Sequence, residues 1–327
     1  MSAASSKPWL RLLDLAPVAL FAVVLVVFGA MSDRFLTAGN IAQVLVQASS
    51  TAVVAVGMTF VLLTAGVDLS VGAVMFLGAG LAGKMALAGQ PLPLCLAVML
   101  GVGIAAGAVN ALLVTRLRLV PFIATLAMLH IGRGTGRWVT QTRAMNLPEP
   151  FLLLGSARWL GVPLPIWMAG TVVAVAHLVL TRTPFGRQLH ALGNDAEAAR
   201  KAGLPTGRLL AAAYIICGAC AGLGGVLALT QLGAVSPKFG ELYEFDAITA
   251  AVLGGTSLFG GRGKVFPGTV LGAVMLKCIF NGLVIARADP YLYPVITGAV
   301  IFAAVLLDSL RDGIAKRLAR RRIIPAG

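Results

Sequence analysis

The sequence predicts an all-α membrane protein of about ten transmembrane helices, and three observations carry that expectation. Composition is the first: the 327 residues are 58% hydrophobic and 12% charged, with 39 glycines and a mean hydropathy of +0.92. Soluble domains carry about 25% charged residues, and in water a chain this apolar exposes more hydrophobic surface than a monomer tolerates. The second is the recurrence of apolar runs near the length of about 20 residues that a helix needs to cross a hydrocarbon core. The third is an uneven distribution of lysine and arginine between alternate connecting segments.

Taken in order, the runs are 15–30, 41–65, 70–88, 92–115, 120–140, 164–180, 209–229, 245–258, 265–285 and 291–307. The run at 245–258 is short for a full crossing. Lys7 and Arg11 ahead of the first run imitate a secretory signal, but no small-residue cleavage site follows, so it reads as a retained helix. With the N-terminus in the cytoplasm, 17 of the 26 basic residues fall in inner segments and 8 in outer ones, and Lys277 stays within a span. Basic residues favour the cytoplasmic side, so both termini are expected there. Trp138, Trp159, Trp167, Tyr243, Tyr291 and Tyr293 fall near outer ends of spans, where amphipathic rings prefer the interface. The chain reads as one transmembrane domain, 1–327, with a cytoplasmic loop at 181–208 and a basic tail at 308–327 beside anionic lipids.

Several function classes fall away. The net charge of +14 resides in these loops and the tail, and the basic residues never interleave with aromatics on one soluble face, so no nucleic-acid partner is expected. Cys217-Gly-Ala-Cys220 lies inside an apolar run with no second pair to complete a zinc site. With Cys95 and Cys278, these read as small packing residues, and no metal is expected. His130, His177 and His190 are scattered and show no triad or metal spacing, so no catalytic residue is expected. Gly78-Ala-Gly80-Leu-Ala-Gly83 matches a dinucleotide pattern that works only between a strand and a helix. Inside a span it is a packing surface, as are Gly103 with Gly107 and Gly268 with Gly272. Gly263-Lys264 lacks the frame of a phosphate-binding loop, because Leu258 stands where the leading glycine belongs and Val265 follows the lysine.

Four features rise above a generic membrane protein. In the loop at 181–208, Gly193, Asn194 and Asp195 are expected to start a short helix, with Asp195 as its N-cap and Gly203 with Pro205 as its end. Such a helix lying along the membrane transmits force to a soluble partner. At Gly66-Val67-Asp68-Leu69-Ser70 a carboxylate enters a membrane helix, which costs about 2.5–3.5 kcal/mol at the bilayer centre unless it is partnered or wet. Asp68 either caps the third span beside Ser70 or serves the solute pathway. The glycine-dense stretch 254–263, including Gly254, Gly255, Thr256 and Ser257, is either a tight cytoplasmic turn or irregular backbone lining a cavity. Lys277 and Asn281, four apart on one face, either snorkel and pack or line the pathway. Outside, Arg133, Arg137 and Arg143 form a basic rim that docks an acidic binding protein or contacts lipid phosphates.

Glu197-Ala198-Ala199, with Gly203 four residues on, resembles the loop through which permeases of ABC importers contact their ATPase. Gly57-Met58-Thr59 leading to Thr64-Ala65-Gly66-Val67-Asp68-Leu69-Ser70-Val71-Gly72 resembles the ribose-type permease family. So do Pro121-Phe122-Ile123-Ala124-Thr125-Leu126, Thr183-Pro184-Phe185-Gly186-Arg187 and Gly254-Gly255-Thr256-Ser257-Leu258-Phe259-Gly260-Gly261. The arginine-rich stretch 133–143 departs from the family blocks. The resemblance implies a homodimer of ten-span subunits in a bacterial inner membrane, two cytoplasmic ATPase domains that hold ATP and Mg, and a periplasmic solute-binding protein. It implies a pentose, hexose or related polyol as cargo. Gly193, Asp195, Glu197, Ala198, Ala199 and Gly203 are then the ATPase-coupling residues. An ion-coupled secondary transporter is the alternative, and it requires ionisable groups near the midplane, where only Lys277 is central and no acid pairs with it in sequence.

Overall fold

The computed structural model describes residues 8–293, 295–303, 305, 306 and 309. The tail expected at 308–327 lies outside these residues apart from 309, as do Lys7 and the last residue of the run at 291–307. Helix α1 covers Pro8–Met31, α2 Ala38–Leu63, α3 Val71–Leu87, α4 Leu92–Thr115 and α5 Pro121–Thr140. A short helix α6, Glu149–Ser156, precedes α7 Leu164–Arg182, α8 Pro184–Asn194, α9 Ala196–Lys201 and α10 Thr206–Leu232. Helix α11 covers Tyr243–Leu253, and α12, Val270–Ile285, is entered through a π turn at Val265–Thr269. Residues 295–303 are helical again.

Five segments among the described residues are long and apolar enough to cross a membrane: Ala38–Leu63, Leu92–Thr115, Leu164–Arg182, Thr206–Leu232 and Val265–Ile285. Two shorter apolar helices, Pro17–Met31 and Val71–Leu87, accompany them. The expectation of ten crossings is thus met in part. Helix α5 has the length but carries Arg133 and Arg137 in its second half, and α11 has only 11 residues, about 16 Å. Proline at the start of α4, α5 and α7 fixes their first turns without losing a needed donor.

Helix α2 is the axis of the bundle: 83% of its most apolar stretch is buried, against 22% for α4 and α7. The latter two present Leu112, Val175 and Leu178 outward, an apolar surface suited to lipid. Helix α10 packs on both α2 and α4. At the α4–α10 contact Gly103 and Gly218 face each other so closely that a Cβ on either would collide with the other's carbonyl oxygen. Gly107 meets the Tyr214 carbonyl in the same way, which is the close approach that small residues permit in lipid. Cys217 and Cys220 pack on Gly57 of α2, and all four cysteines are free and buried. Gly218→Leu should overpack this contact at about 1–3 kcal/mol. The measurement is the thermal unfolding midpoint in detergent, compared with Gly101→Leu, whose added side chain meets open space.

The two ends of the bundle differ. One end carries α8 and α9. At the far end Met145–Asn146 pairs antiparallel with Ala234–Val235, joining the segment after α5 to the segment after α10. A second ribbon pairs Arg158–Trp159 with Val162–Pro163, and Trp167 packs edge-on against Trp159 at 4.9 Å. Neither ribbon nor α6 shows in the sequence pattern, because two-residue strands have no period to read.

Candidate functional site

The segment expected as a cytoplasmic loop is nearly all helix. Thr183 closes α7 and opens α8: its hydroxyl donates to the Val179 carbonyl at 2.7 Å and accepts from the Gly186 amide at 3.4 Å. Helix α8 buries Gly186, Leu189 and Leu192 and turns Arg187 and Ala191 outward. Phe185 stacks on Phe60 of α2 with centroids 6.4 Å apart. Asp195 caps α9, its Oδ1 accepting from the amides of Glu197 and Ala198 at 2.9 Å each. Gly193 and Asn194 correct the expectation, since they end α8 instead of starting α9: the apolar period of α8 runs on through Leu192. Past α9 the left-handed Gly203, φ +79°, releases the chain. Glu197, Ala198, Arg200 and Lys201 face outward and only Ala199 turns in. Glu197 and Lys201 pair at 2.9 Å, but both are mostly exposed, so the pair adds little to stability.

Helix α8 is wedged into the body at its end. A side chain on Gly193 would strike the carbonyl of Leu63, the last residue of α2, and the amide of Gly261. The Gly261 amide donates to that same Leu63 carbonyl at 3.0 Å, and His190 Nδ1 meets the Gly261 carbonyl at 3.0 Å. The stretch 254–263 folds as a turn: the Ser257 amide donates to the Arg262 carbonyl at 2.8 Å, and Gly255, Gly260 and Gly261 hold φ of +91°, +87° and +70°. Thr256 and Ser257 are buried and Gly254 packs against Gly268. Three chain segments distant in sequence, the end of α2, the end of α8 and the 254–263 turn, therefore meet at one junction.

Asp68 is 1% exposed. Its Oδ1 accepts from the Ser70 amide at 2.9 Å and the Ser70 hydroxyl at 2.6 Å. Asn110 of α4 donates to both carboxylate oxygens at 3.3 Å and to Ser70 Oγ at 2.9 Å. The Val67 carbonyl accepts from Thr125 of α5 at 3.3 Å and from Tyr214 of α10 at 3.5 Å. A side chain on Gly66 would meet the Tyr214 hydroxyl. The break before α3 is thus bound by three other helices; Ser70 is the N-cap residue of α3, and Asp68 holds it from two residues ahead without bonding an amide of the helix itself. Asn110, Thr125 and Tyr214 have no signal in sequence, since they lie 40 or more residues from their partners.

A second break lies where no glycine run marked it. Val235 passes the Gly83 end of α3, while Gly240 packs on Gly72 and Met75 near its start. About 16 Å of helix axis separates Gly72 from Gly83. Residues 236–242 therefore descend alongside α3 as irregular turns, and α11 begins deep in the bundle. Arg133 holds this segment: its guanidinium donates to the Phe239 carbonyl at 2.6 Å and to the Gly240 carbonyl, and it lies 5.5 Å from the Phe76 ring centroid. Arg133 stands twelve residues past Pro121, about 18 Å along α5, so it belongs to the interior of the bundle and not to an outer basic rim. Tyr243 is corrected likewise, from interface residue to first residue of this buried-depth helix.

The first turn of α11 is pinned on both sides. Glu244, 5% exposed, stands in the room left by the missing side chain of Gly72. Among the described residues its Oε2 has no hydrogen-bond partner. Asp246 pairs with Lys277 of α12 at 3.0 Å, the two side chains 14% and 13% exposed. Lys277 lies over the rings of Tyr243 and Phe280 as well. Lys277 therefore does not snorkel: the acid that sequence reading did not find is Asp246, 31 residues away. Asn281 exchanges hydrogen bonds of 2.8 and 3.0 Å with Asn40 of α2, which makes it a packing contact. Arg137 and Arg143 are exposed, Arg143 beyond the end of α5.

Known proteins match this chain along most of its length. The family described as branched-chain amino acid transport system permease component matches residues 40–305. The chain is 35% identical over 312 residues to the ribose import permease protein of Escherichia coli, covering 94% of this chain and 96% of that one. It is 37% identical over 297 residues to the D-allose transport system permease protein of Escherichia coli, covering 89% and 90%. It is 33% identical over 303 residues to the fructose import permease protein of Rhizobium meliloti, covering 89% and 84%. No solved structure matches it. With a bundle of apolar helices, two breaks deep within it and this match from α2 to the last described helix, the chain belongs to the branched-chain amino acid transport system permease component family.

Proposed function

We propose that the chain is the membrane-spanning subunit of an ATP-binding cassette importer and passes a monosaccharide or related polyol delivered by a periplasmic binding protein. The observation that carries the coupling is the projecting helix α9 on the wedged helix α8. An exposed cap segment on a rigid strut moves α2 and the 254–263 turn whenever a partner moves the cap. Similarity to ribose, allose and fructose permeases supports the solute class. ATP and Mg belong to the partner ATPase. The functional unit is a homodimer of ten-span subunits in a bacterial inner membrane, both termini cytoplasmic, consistent with the excess of basic residues on that side.

The alternative of ion coupling draws on one observation, the Lys277–Asp246 pair deep in the bundle. The two readings separate in proteoliposomes containing the permease, its ATPase and its binding protein. Uptake of ribose, allose or fructose should require ATP inside and the binding protein outside. Uptake by the permease alone under a proton or sodium gradient would replace this reading with the alternative. Asp195→Ala removes the α9 cap, worth about 1 kcal/mol. It should lower ATP-driven uptake while thermal stability of the permease, whose body α9 barely touches, stays near wild type.

A further inference from the structure

We propose that residues 236–242, with the first turn of α11, form the constriction that contacts the solute. This deepens the importer reading and rests on it for the identity of the cargo, though not for the location of the passage.

The argument begins with depth. The segment descends from the Gly83 end of α3 and, at Phe239 and Gly240, reaches the start of α3, about 18 Å along α5 at the level of Arg133. In a hydrocarbon core of about 30 Å that is well inside the membrane. Irregular backbone at such depth persists only where protein buries it or a wet cavity meets it. Both conditions hold here, on opposite faces. Phe239 and Gly240 are buried against α3 and α5, with their carbonyls bonded by Arg133. Ser236, Lys238, Glu241 and Leu242 are exposed. A charged side chain turned to lipid at this depth costs about 2.5–3.5 kcal/mol. An exposed ammonium and an exposed carboxylate three residues apart therefore mark the uncovered side of the segment as wet.

The chemistry of the lining selects the class of solute. Ion filters present rings of one charge sign or rings of carbonyls. This face presents one basic and one acidic group, a serine hydroxyl, and the apolar side chains of Leu242 and Phe245 beside them. Mixed donors and acceptors next to apolar surface suit a sugar, whose hydroxyls need both and whose C–H faces need contact. Leu242 at φ +64° holds a left-handed conformation that a bulky residue adopts at a cost of about 1–2 kcal/mol. Arg133 holds the turn just ahead of it, at the Phe239 and Gly240 carbonyls. Glu244, buried and with no partner for its Oε2 among the described residues, sits against Gly72 and leaves an acceptor idle beside the segment. Arg133 and Glu244 are positioning residues, and Ser236, Lys238 and Glu241 are the contacts.

Single cysteines at Ser236, Lys238 and Glu241 in the intact permease–ATPase complex test the location. The four native cysteines are buried and serve as a silent background. The probe is a membrane-impermeant methanethiosulfonate bearing a quaternary ammonium group. Lipid-facing controls are Val175→Cys and Leu178→Cys, at positions 56% and 55% exposed. All three test positions should react at least about tenfold faster than the controls, because thiolates form in water and not in lipid. Reaction at control rates would overturn the proposal, as would disulfide crosslinking of Glu241→Cys between two copies without labelling, which would assign the face to a subunit contact. For the solute class, Glu241→Gln and Lys238→Met should each lower ATP-driven ribose uptake about tenfold, with ATP hydrolysis by the partner within twofold of wild type. Unchanged uptake in both would also overturn it. Cysteine variants that label as expected, while wild-type protein takes up no sugar, would instead count against the importer reading alone.

Discussion

Replacing Lys277 by methionine should destabilise the protein by about 3–5 kcal/mol, the largest effect expected of a single change in the described residues. The lysine pairs with Asp246 at 3.0 Å with both side chains mostly buried, so its removal strands a carboxylate in the bundle. The loss should appear as a large fall in the detergent unfolding midpoint and in uptake. Asp246→Leu alone should do the same by stranding the ammonium, although the Tyr243 and Phe280 rings soften that loss through their π faces. The double variant Lys277→Met with Asp246→Leu decides what the pair is for. A buried pair replaced by apolar residues of similar size is often neutral or stabilising. Recovery of both stability and ATP-driven uptake in the double variant would make the pair a pin between α11 and α12. Recovery of stability without uptake would place the charges in transport itself and revive the ion-coupled reading.

Asp68→Ala should remove transport, while Asp68→Asn should keep most of it. The carboxylate accepts from the Ser70 amide and hydroxyl and from Asn110. Alanine leaves at least one buried donor without a partner, at about 1–3 kcal/mol. The start of α3 is then no longer tied to α4, and Gly72, on which the 236–242 segment rests, moves with it. Asparagine retains an oxygen acceptor at Oδ1, so the Ser70 bonds survive. Uptake assays on both variants at matched expression make the comparison. Loss of uptake in Asp68→Asn with a normal unfolding midpoint would show that the charge itself serves the pathway, and the account of Asp68 as a tie between Ser70 and α4 would fail.

Legibility in the sequence followed the range of the interactions. Helices α2, α4, α7 and α10 stand close to their apolar runs, because burial in lipid or in the bundle is written into consecutive residues. The Asp195 cap was legible for the same reason: its bonds reach only two and three residues ahead. The α8 helix was not, since Gly193 and Asn194 look like a helix start when the preceding amphipathic turn goes unread. The descending segment 236–242 was missed entirely. Its signal is a run of turns without period, and what places it at depth is contact with Gly72, Met75 and Arg133, more than 100 residues away.

The sequence by itself determined a membrane-embedded helical chain, the cap and end of α9, the small-residue packing faces and the kinship with sugar permeases. The first three rest on composition, period and short-range hydrogen bonds, which any chain carries in its local order, and the kinship rests on the resemblance of its motif blocks. The tertiary structure alone decided that Lys277 has Asp246, that Arg133 points into the bundle, and that α2, α8 and the 254–263 turn share one junction. In a medium without water, a polar group must find its partner within the fold, and neighbours in space are chosen by helix packing, not by neighbours in the chain.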